Sequence, residues 1–236
     1  MTLADLKKDL AAVADPERAR NLAWFFKTGE GEYGHGDRFI GIRVPIQRRI
    51  ARRYTHLSLK GVARLLASRV HEHRFTALEI LVAQYEYSDD AQKRAIFDFY
   101  LKHTHFINNW DLVDTSAPYI VGAHLLSRSR RVLYRLAKSK SLWERRIAIV
   151  ATAAFIQAGE IEDTLKIAAL LLPDEHDLIR KAVGWMLREV GKRSAPALLK
   201  FLAQNYRRIS RTTLRYGIER FPAARRRKML VGVFRE

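Results

Sequence analysis

The chain has 236 residues, of which 43 are Lys or Arg and 25 are Asp or Glu, so its formal net charge is +18. Hydrophobic residues make up 48% of the sequence, which is enough for a sizeable core. The absence of cysteine excludes disulfides and cysteine-based zinc sites and fits a reducing, bacterial-type cytoplasm. With no signal-peptide pattern and no apolar stretch of about 18 residues, we expect neither secretion nor a membrane span.

The positive charge indicates an anionic partner. Nucleic acid is the commonest such partner, because each phosphate that a protein contacts releases condensed counterions. Charge alone leaves two alternatives open, a merely soluble basic protein and a protein that rests on an anionic membrane. We favour nucleic acid, with no membrane contact.

The first 43 residues predict two helices and a loop. Thr2 can cap a helix to about Val13, and Asp15 followed by Pro16 is a typical start for a helix to about Lys27. Residues 28–43 then hold five of the twelve glycines, which predicts an irregular loop.

Helical periodicity dominates the rest of the chain. It predicts helical segments at about 45–54, 58–68, 73–87, 89–103, 109–126, 129–137, 141–158, 160–171, 175–191, 196–206, 210–221 and 222–234. From about residue 58 these segments pair into units of roughly 30–40 residues, the pattern of an α-solenoid with HEAT- or ARM-like repeats. The predicted fold is therefore an all-α, α–α superhelix, treated as one domain over 1–236 with a basic C-terminal tail at about 206–236. Such a solenoid can present a concave face lined with Arg and Lys, suited to the girth of a duplex.

The segment NNWDLVD at 108–114 is the first candidate site. Trp110 and Asp114 are four residues apart and share one helix face, while Asp111 lies on the adjoining face. Structural interpretations stay open: Trp110 as a core residue, Asp111 as a first-turn acid favoured by the helix dipole, and Asp114 as a salt-bridge partner.

Two further segments carry candidate cations. In WERR at 143–146, Arg145 and Arg146 point about 100° apart, so at most one faces a given partner. In RKAVGWMLR at 180–188, Lys181 and Arg188 flank Trp185 on one face, which suits phosphate contact with stacking. Gly184 indicates the close approach of another backbone. The alternatives are a solvated basic turn for WERR and a core tryptophan for Trp185.

Four segments, FIGIRVP, NNWDLVDTSAP, WERRIAIV and IRKAVGWMLRE, together resemble the AlkD-like family of DNA alkylation repair glycosylases. The resemblance runs from about residue 15 to residue 199, in order and at similar spacing. It implies a HEAT-like helical-repeat fold that holds duplex DNA in a basic concave cleft. It also implies excision of N3- and N7-alkylated purines, bulky ones included, without a conventional base-flipping pocket.

The resemblance also implies roles for particular residues. The catalytic aspartate falls on Asp114, the two DNA-facing tryptophans fall on Trp110 and Trp185, and the cleft arginine falls on Arg146 rather than Arg145. An aromatic residue of the second helix, often tyrosine in the family, falls on Phe25, which lacks the hydroxyl. We keep three further DNA-binding candidates: Lys181, Arg188 and Arg145. Residues 28–38 are an insertion relative to shorter members, and we assign them no catalytic role.

The implied chemistry needs neither cofactor nor metal. An alkylated purine is cationic and already a good leaving group, and its departure builds oxocarbenium character on the sugar, which an ionised Asp114 can stabilise. Indole faces of Trp110 and Trp185 can favour the cationic lesion, and Arg146 can anchor a phosphate. His71 and His73 are two residues apart and face different sides of a helix, so we interpret His71-Glu72-His73 as helix-start surface rather than a metal site.

The segment from Tyr206 to the C-terminus holds ten Arg or Lys residues and two acids. It predicts non-specific phosphate binding, with a solvated terminal helix as the alternative. For the whole chain, the competing function is a non-catalytic helical-repeat scaffold that binds DNA or RNA. A protein–protein adaptor would explain the repeats but not the charge. Since a solenoid that encloses DNA needs no partner subunit, we expect a nucleoid-associated monomer.

Overall fold

The computed structural model describes residues 1–234, and this part of the chain is all-helical, without a β-strand. Its one β-bridge joins Arg38 to Val70. In chain order the helices are α1 (Leu3–Ala11), α2 (Pro16–Phe25), α3 (Val44–Arg53), α4 (Leu59–Leu66), α5 (His71–Tyr87), α6 (Asp90–Lys102), α7 (Trp110–Asp114), α8 (Ala123–Leu125), α9 (Arg131–Leu136), α10 (Leu142–Val150), α11 (Ala153–Gln157), α12 (Glu162–Leu171), α13 (Asp177–Arg193), α14 (Ala195–Asn205), α15 (Arg211–Gly217) and α16 (Ala223–Leu230). A 3₁₀ turn at Thr104–Phe106 precedes α7, and a π turn at Pro118–Gly122 precedes α8.

Polar side chains set most helix starts. Thr2 accepts a hydrogen bond from the Asp5 N–H, and the Asp5 carboxylate accepts one from the Thr2 N–H, a complete capping box. Asp15 caps α2 in front of Pro16, as predicted. Later helices begin in the same way, with an N-cap side-chain oxygen that accepts a hydrogen bond from a backbone N–H. These N-caps are Ser58, Asp89, Asn109, Ser141, Ser194 and Ser210.

Two compact units make up the chain, the first covering Met1–His124 and the second beginning at Leu125. In the first unit, α5 is the central helix and packs against α3, α4, α6 and α7. Ten of its seventeen residues are buried, among them Phe75, Leu78 and Leu81. A helix buried on nearly all sides needs an apolar surface all round, which explains why α5 lacks a one-sided apolar pattern. The prediction of a single domain stays a prediction.

In the second unit, α13 is the central helix and packs against α10, α12, α14 and α15. Gly184 permits the contact with α15, because a Cβ at Gly184 would lie 2.7 Å from the Thr213 carbonyl oxygen and 2.5 Å from the Tyr216 Cβ. The predicted close approach of another backbone at Gly184 is therefore confirmed.

The all-α fold class and the helix pairs are confirmed. The pairs α4–α5, α9–α10 and α12–α13 each pack together, and their first helices begin at Leu59, Arg131 and Glu162. The loop over 28–43 is also confirmed as irregular. No helix within residues 1–234 is long and apolar enough to cross a membrane.

Two predicted long helices are broken. The segment at 109–126 divides into α7, the π turn and α8 because Pro118 has no N–H to continue a regular helix. The segment at 141–158 divides into α10 and α11, and at the break the Thr152 hydroxyl donates to the Ile149 carbonyl oxygen at 2.6 Å.

Candidate active site

Trp110 and Asp114 are the first and last residues of α7, and both are half-buried. The Asn109 side chain, which is fully buried, accepts a hydrogen bond from the Trp110 N–H at 2.8 Å and fixes the start of the helix. A spacing of four residues places both side chains on one helix face, as predicted from the sequence. Asp114 is also close enough to Tyr100 that its charge helps to raise the pKa of that buried phenol, after burial itself as the main cause.

The Trp110 indole belongs to a cluster of four aromatic rings, Phe25, Phe26, Phe39 and Trp110, which we call the Trp110 cluster. The Phe26 ring stacks on Trp110 with centroids 5.2 Å apart, and Phe39 stacks on Phe26 at 5.1 Å. Phe25 meets Trp110 edge-on at 6.1 Å and is 55% exposed. Because Phe26 is buried, Trp110 is held from behind while Phe25 keeps a surface for a partner.

His71 and Glu72 are buried, 3% and 1% exposed, so their interpretation as helix-start surface was wrong. They do begin α5, but the 28–43 loop folds over them. The Glu72 carboxylate accepts hydrogen bonds from three consecutive backbone N–H groups of that loop, those of Ile40, Gly41 and Ile42, at 2.7–3.3 Å. Periodicity alone shows which face of a helix is apolar, not which polar residues a distant loop will cover.

Asp37 is the loop's second attachment to α5. Its carboxylate accepts a hydrogen bond from Arg74 at 2.6 Å, and its Oδ2 lies 3.5 Å from His71 Nδ1. His71 Nε2 lies 2.8 Å from Asp111 Oδ2 in α7. Burial would raise the pKa of Asp37, but His71 and Arg74 outweigh it and hold that pKa below its usual value. Burial would lower the pKa of His71, but Asp111 and Asp37 raise it to about 9.

The two adjacent arginines of α10 have different partners, as their 100° separation requires. Arg146 is 5% exposed and its Nη1 donates to the Leu178 carbonyl oxygen at 2.5 Å. Arg145 Nε donates to Asp174 Oδ2 at 2.6 Å, and its Nη1 donates to two backbone carbonyl groups, at Ser139 and Lys140. Both guanidinium groups thus fasten α10 to neighbouring segments of the second unit.

Trp185 and its flanking cations lie on α13. Trp185 is half-buried and lines a cleft of about 510 Å³ together with residues of α11, among them Ala153 and Gln157. Lys181 forms an ion pair with Asp177 at 2.7 Å, and Arg188 forms one with Glu219. Trp185 is therefore not a fully buried core residue, the alternative that the sequence left open.

Seven cations of the basic tail are exposed in its described part: Arg207, Arg208, Arg211, Arg215, Arg220, Arg227 and Lys228. Arg235 and Glu236, which the sequence-based prediction included, lie outside the described residues. The side chains of Tyr206 and Arg211 both donate to the Leu230 carbonyl oxygen. These two hydrogen bonds connect α16 to the start of the basic tail. The exposed cations agree with phosphate binding and equally with a solvated helix.

A family model described as "DNA alkylation repair enzyme" matches residues 6–221. The chain belongs to this family. Among solved structures, it is similar to a protein described as a predicted DNA alkylation repair enzyme from Enterococcus faecalis, with a TM-score of 0.70 and 16% identity over 89% of this chain and 97% of that one. At that identity the likeness shows the fold alone. Among curated proteins no significant match was found.

Membership of the DNA alkylation repair enzyme family supports a role in the repair of alkylated DNA. Within the first unit, the structure brings Phe25, Trp110 and Asp114 into one region; within the second, Lys181, Trp185 and Arg188 share α13. The roles given to these residues, and to Arg145 and Arg146, stay predictions.

Sequence reasoning missed the polar support of the Trp110 cluster: Asp37, His71, Glu72 and Asp111. The only signal in the sequence was three ionisable residues in a row at a helix start. In residues 1–234 no group of three or more His, Asp or Glu side chains has a geometry that could hold a metal ion.

Proposed function

We propose that this protein is a DNA glycosylase of base excision repair that hydrolyses the N-glycosidic bond of N3- or N7-alkylated purines in duplex DNA, without a conventional base-flipping pocket. One observation carries the proposal: a half-buried tryptophan, held from behind by a ring stack, shares a short helix with a carboxylate one turn away. The match to the DNA alkylation repair enzyme family supports the choice of substrate class.

In the proposed reaction, the cationic purine leaves C1′ with the bonding electron pair and becomes a neutral free base. Positive charge then develops on the deoxyribose, and the ionised Asp114 carboxylate stabilises it electrostatically. A water molecule adds its oxygen to C1′ and loses a proton, which leaves an abasic site. Asp114 can orient that water, and the indole face of Trp110 attracts the cationic lesion in preference to a neutral base.

The second unit would contribute contacts with the sugar–phosphate backbone. Trp185 is half-buried in an open cleft and Lys181 and Arg188 lie on the same helix, so they can offer a ring face and two cations. Arg145 and Arg146 are hydrogen-bonded within the unit, so phosphate contact by either would compete with Asp174 or the Leu178 carbonyl group. Lys181 and Arg188 are ion-paired as well, but the Lys181 side chain is 42% exposed against 20% for Arg145, so Lys181 is the better-supported phosphate ligand.

The test is release of free 7-methylguanine from duplex DNA by the wild type and by Asp114→Asn. We expect the wild type to exceed the buffer blank and the variant to lose about two to three orders of magnitude in rate, a typical result for removing a group that stabilises transition-state charge. Asp98→Asn, which makes the same charge change in an exposed ion pair of α6, is the control and should be fully active. Equal activity of wild type and Asp114→Asn would remove Asp114 from the mechanism.

A non-catalytic scaffold for DNA or RNA is the second candidate, favoured by the exposed cations of the C-terminal segment, which need no catalytic residue. The scaffold hypothesis predicts tight, salt-dependent binding to duplex DNA and RNA alike, with no base release. Preferential binding of alkylated duplex DNA together with base release would exclude it.

We also propose a monomer that acts in the cytosol on nucleoid DNA. A single elution volume in size-exclusion chromatography, matching 27.3 kDa over a hundredfold range of concentration, is the expected result.

A further inference from the structure

A buried charge network connects the glycine-rich loop to the helix that carries Trp110 and Asp114. His71 begins α5 and is only 3% exposed. Its Nε2 lies 2.8 Å from Asp111 Oδ2 in α7, and its Nδ1 lies 3.5 Å from Asp37 Oδ2 in the loop. One imidazole ring therefore bridges two segments that are more than seventy residues apart in the sequence.

Both polar neighbours of the ring are carboxylates, and this determines its protonation. Ionised carboxylates only accept hydrogen bonds, so a neutral imidazole would turn one nitrogen lone pair toward a negative charge. An imidazolium presents an N–H to each side. Arg74, whose Nη2 lies 2.6 Å from Asp37 Oδ2, supplies a second cation. With His71 charged, two cations face Asp37 and Asp111, while the neighbouring buried carboxylate, Glu72, is compensated by three backbone N–H groups of the loop, as burial of ionised groups requires.

The faces of the ring contact the Trp110 cluster. Phe39 stacks on His71 with centroids 4.6 Å apart, and Phe26 lies 5.1 Å from it. Phe26 in turn stacks on Trp110 at 5.2 Å. A cation over aromatic faces is attracted by their quadrupoles, so the charged ring also stabilises the stack. His71 thus reaches Trp110 by two routes, through Asp111 at the start of α7 and through Phe26.

We propose that His71, as an imidazolium, is a positioning residue for Trp110 and that the glycine-rich loop is part of the support of the active site. This inference rests on the proposed function, since the orientation of Trp110 affects catalysis only if Trp110 faces DNA. We call Asp37, His71, Arg74 and Asp111 the His71 clamp. The loop supplies Asp37, one of its two carboxylates, so it acts on the reaction without touching substrate.

The His71 clamp should release at alkaline pH. Burial acts to lower the pKa of His71, but Asp111 and Asp37 raise it to about 9, against the opposing charge of Arg74. The charged groups that act on the ring are Asp37 of the loop, Asp111 of α7 and Arg74 of α5. Glu72 of α5 acts on Arg74, and Phe26, which follows α2, is uncharged. Deprotonation of His71 would leave a buried carboxylate without its cation and loosen α7 from α5.

Nuclear magnetic resonance of the full-length protein tests this. The ring C–H signals of His71 and of the Trp110 indole, the latter assigned by their loss in Trp110→Phe, are followed in the wild type from pH 6 to pH 10.5. We expect both to change with one shared midpoint near pH 9. A Trp110 signal that stays constant through the His71 transition, or a His71 midpoint below pH 7, would overturn the proposal.

His71→Gln and the matched control His73→Gln link the clamp to catalysis. His71→Gln should abolish the alkaline change at Trp110 and lower kcat for 7-methylguanine release by roughly tenfold with little change in KM, because misplacing a positioned group slows the chemical step. His73, on the same helix but bonded to Ser68, should leave both unchanged when replaced. Should His71→Gln not fold, Asp111→Asn should lower the shared midpoint toward pH 7.

The two proposals can fail separately. A wild type that releases no base but shows the shared alkaline midpoint refutes the glycosylase proposal and retains the clamp. If the wild type releases base but the Trp110 signal stays constant through the His71 transition, the proposal for the His71 clamp is refuted and the glycosylase proposal is retained.

Discussion

The surroundings of Trp110 and Trp185 differ in kind. Trp110 is held by stacked rings whose support is a buried charge network, so its orientation is fixed by packing. Trp185 lines an open cleft, and the ring stack behind Trp110 has no counterpart there among the described residues. Its neighbours Lys181 and Arg188 are held by partly exposed ion pairs. Packing fixes the orientation of the Trp110 ring before DNA binds, which suits a residue that acts in the reaction. Partly exposed ion pairs can exchange one partner for another at little cost in free energy, which suits residues that contact phosphate.

Among the substitutions that test this difference between the two tryptophans, Glu72→Ala should have the largest effect on stability, because it removes the anchor of the loop behind Trp110. The substitution leaves three backbone N–H groups of the loop without an acceptor, and one buried unsatisfied group costs about 1–3 kcal/mol. We expect the free energy of unfolding in urea to fall by about 3–5 kcal/mol and residues 28–43 to become sensitive to proteolysis. Glu79→Ala, on the same helix and paired with Arg48, should cost under about 1 kcal/mol. Equal urea midpoints for the two variants would show that the loop needs no anchor.

The next effect is a pH dependence of stability due to His71. Its pKa is raised from 6.5 in the unfolded chain to about 9, so its stabilising contribution is complete below pH 6.5 and is lost as pH rises to 9. Between these values we expect the free energy of unfolding to fall by about 1.4 kcal/mol per pH unit. His71→Gln should flatten this part of the curve, while His73→Gln should keep it. A wild-type stability that stays constant from pH 7 to pH 9 would contradict a charged His71.

Gly184→Ala tests the packing of the second unit. The added Cβ would lie 2.7 Å from the Thr213 carbonyl oxygen, which is backbone and cannot move aside, so α13 and α15 must separate. We expect a loss of about 1–3 kcal/mol in thermal or urea unfolding. Gly191→Ala is the matched control on the same helix, because its Cβ would meet only the tip of the Leu198 side chain. That change should be neutral or stabilising by up to about 1 kcal/mol, since alanine favours a helix over glycine. Equal losses for the two variants would contradict the close contact of α13 and α15.

Local rules sufficed for most of the fold. Thr2 and Asp15 cap helices where the sequence indicated, and Gly184 marked the contact with α15. Each of these signals acts within one or two turns, so it can be recognised in the sequence. The break at Pro118 was missed because the apolar periodicity continues across it.

The candidate site was only half predictable. Trp110 and Asp114 are four residues apart, so one helix places them together whatever the rest of the chain does. His71 and His73 stand two residues apart on one helix, yet the pKa of His71 is raised to about 9 and that of His73 is lowered to about 4, mainly by burial. The difference comes from Asp37 and Asp111, which approach His71 from distant segments. Long-range contacts of this kind leave no periodic trace.

The smallest effect concerns the exchange of ion pairs that we infer around Trp185. Asp177→Asn removes the acidic partner that a phosphate would have to displace from Lys181, so we expect the affinity for duplex DNA at low salt to rise about two- to threefold, with the gain vanishing at high salt. Removing any acid increases the net positive charge, so Glu162→Gln, exposed on α12 of the same unit, is the control and should bring a smaller gain. Equal gains would mean that Lys181 acts only through the overall charge. A larger gain for Asp177→Asn would place a phosphate within reach of α13, next to Trp185.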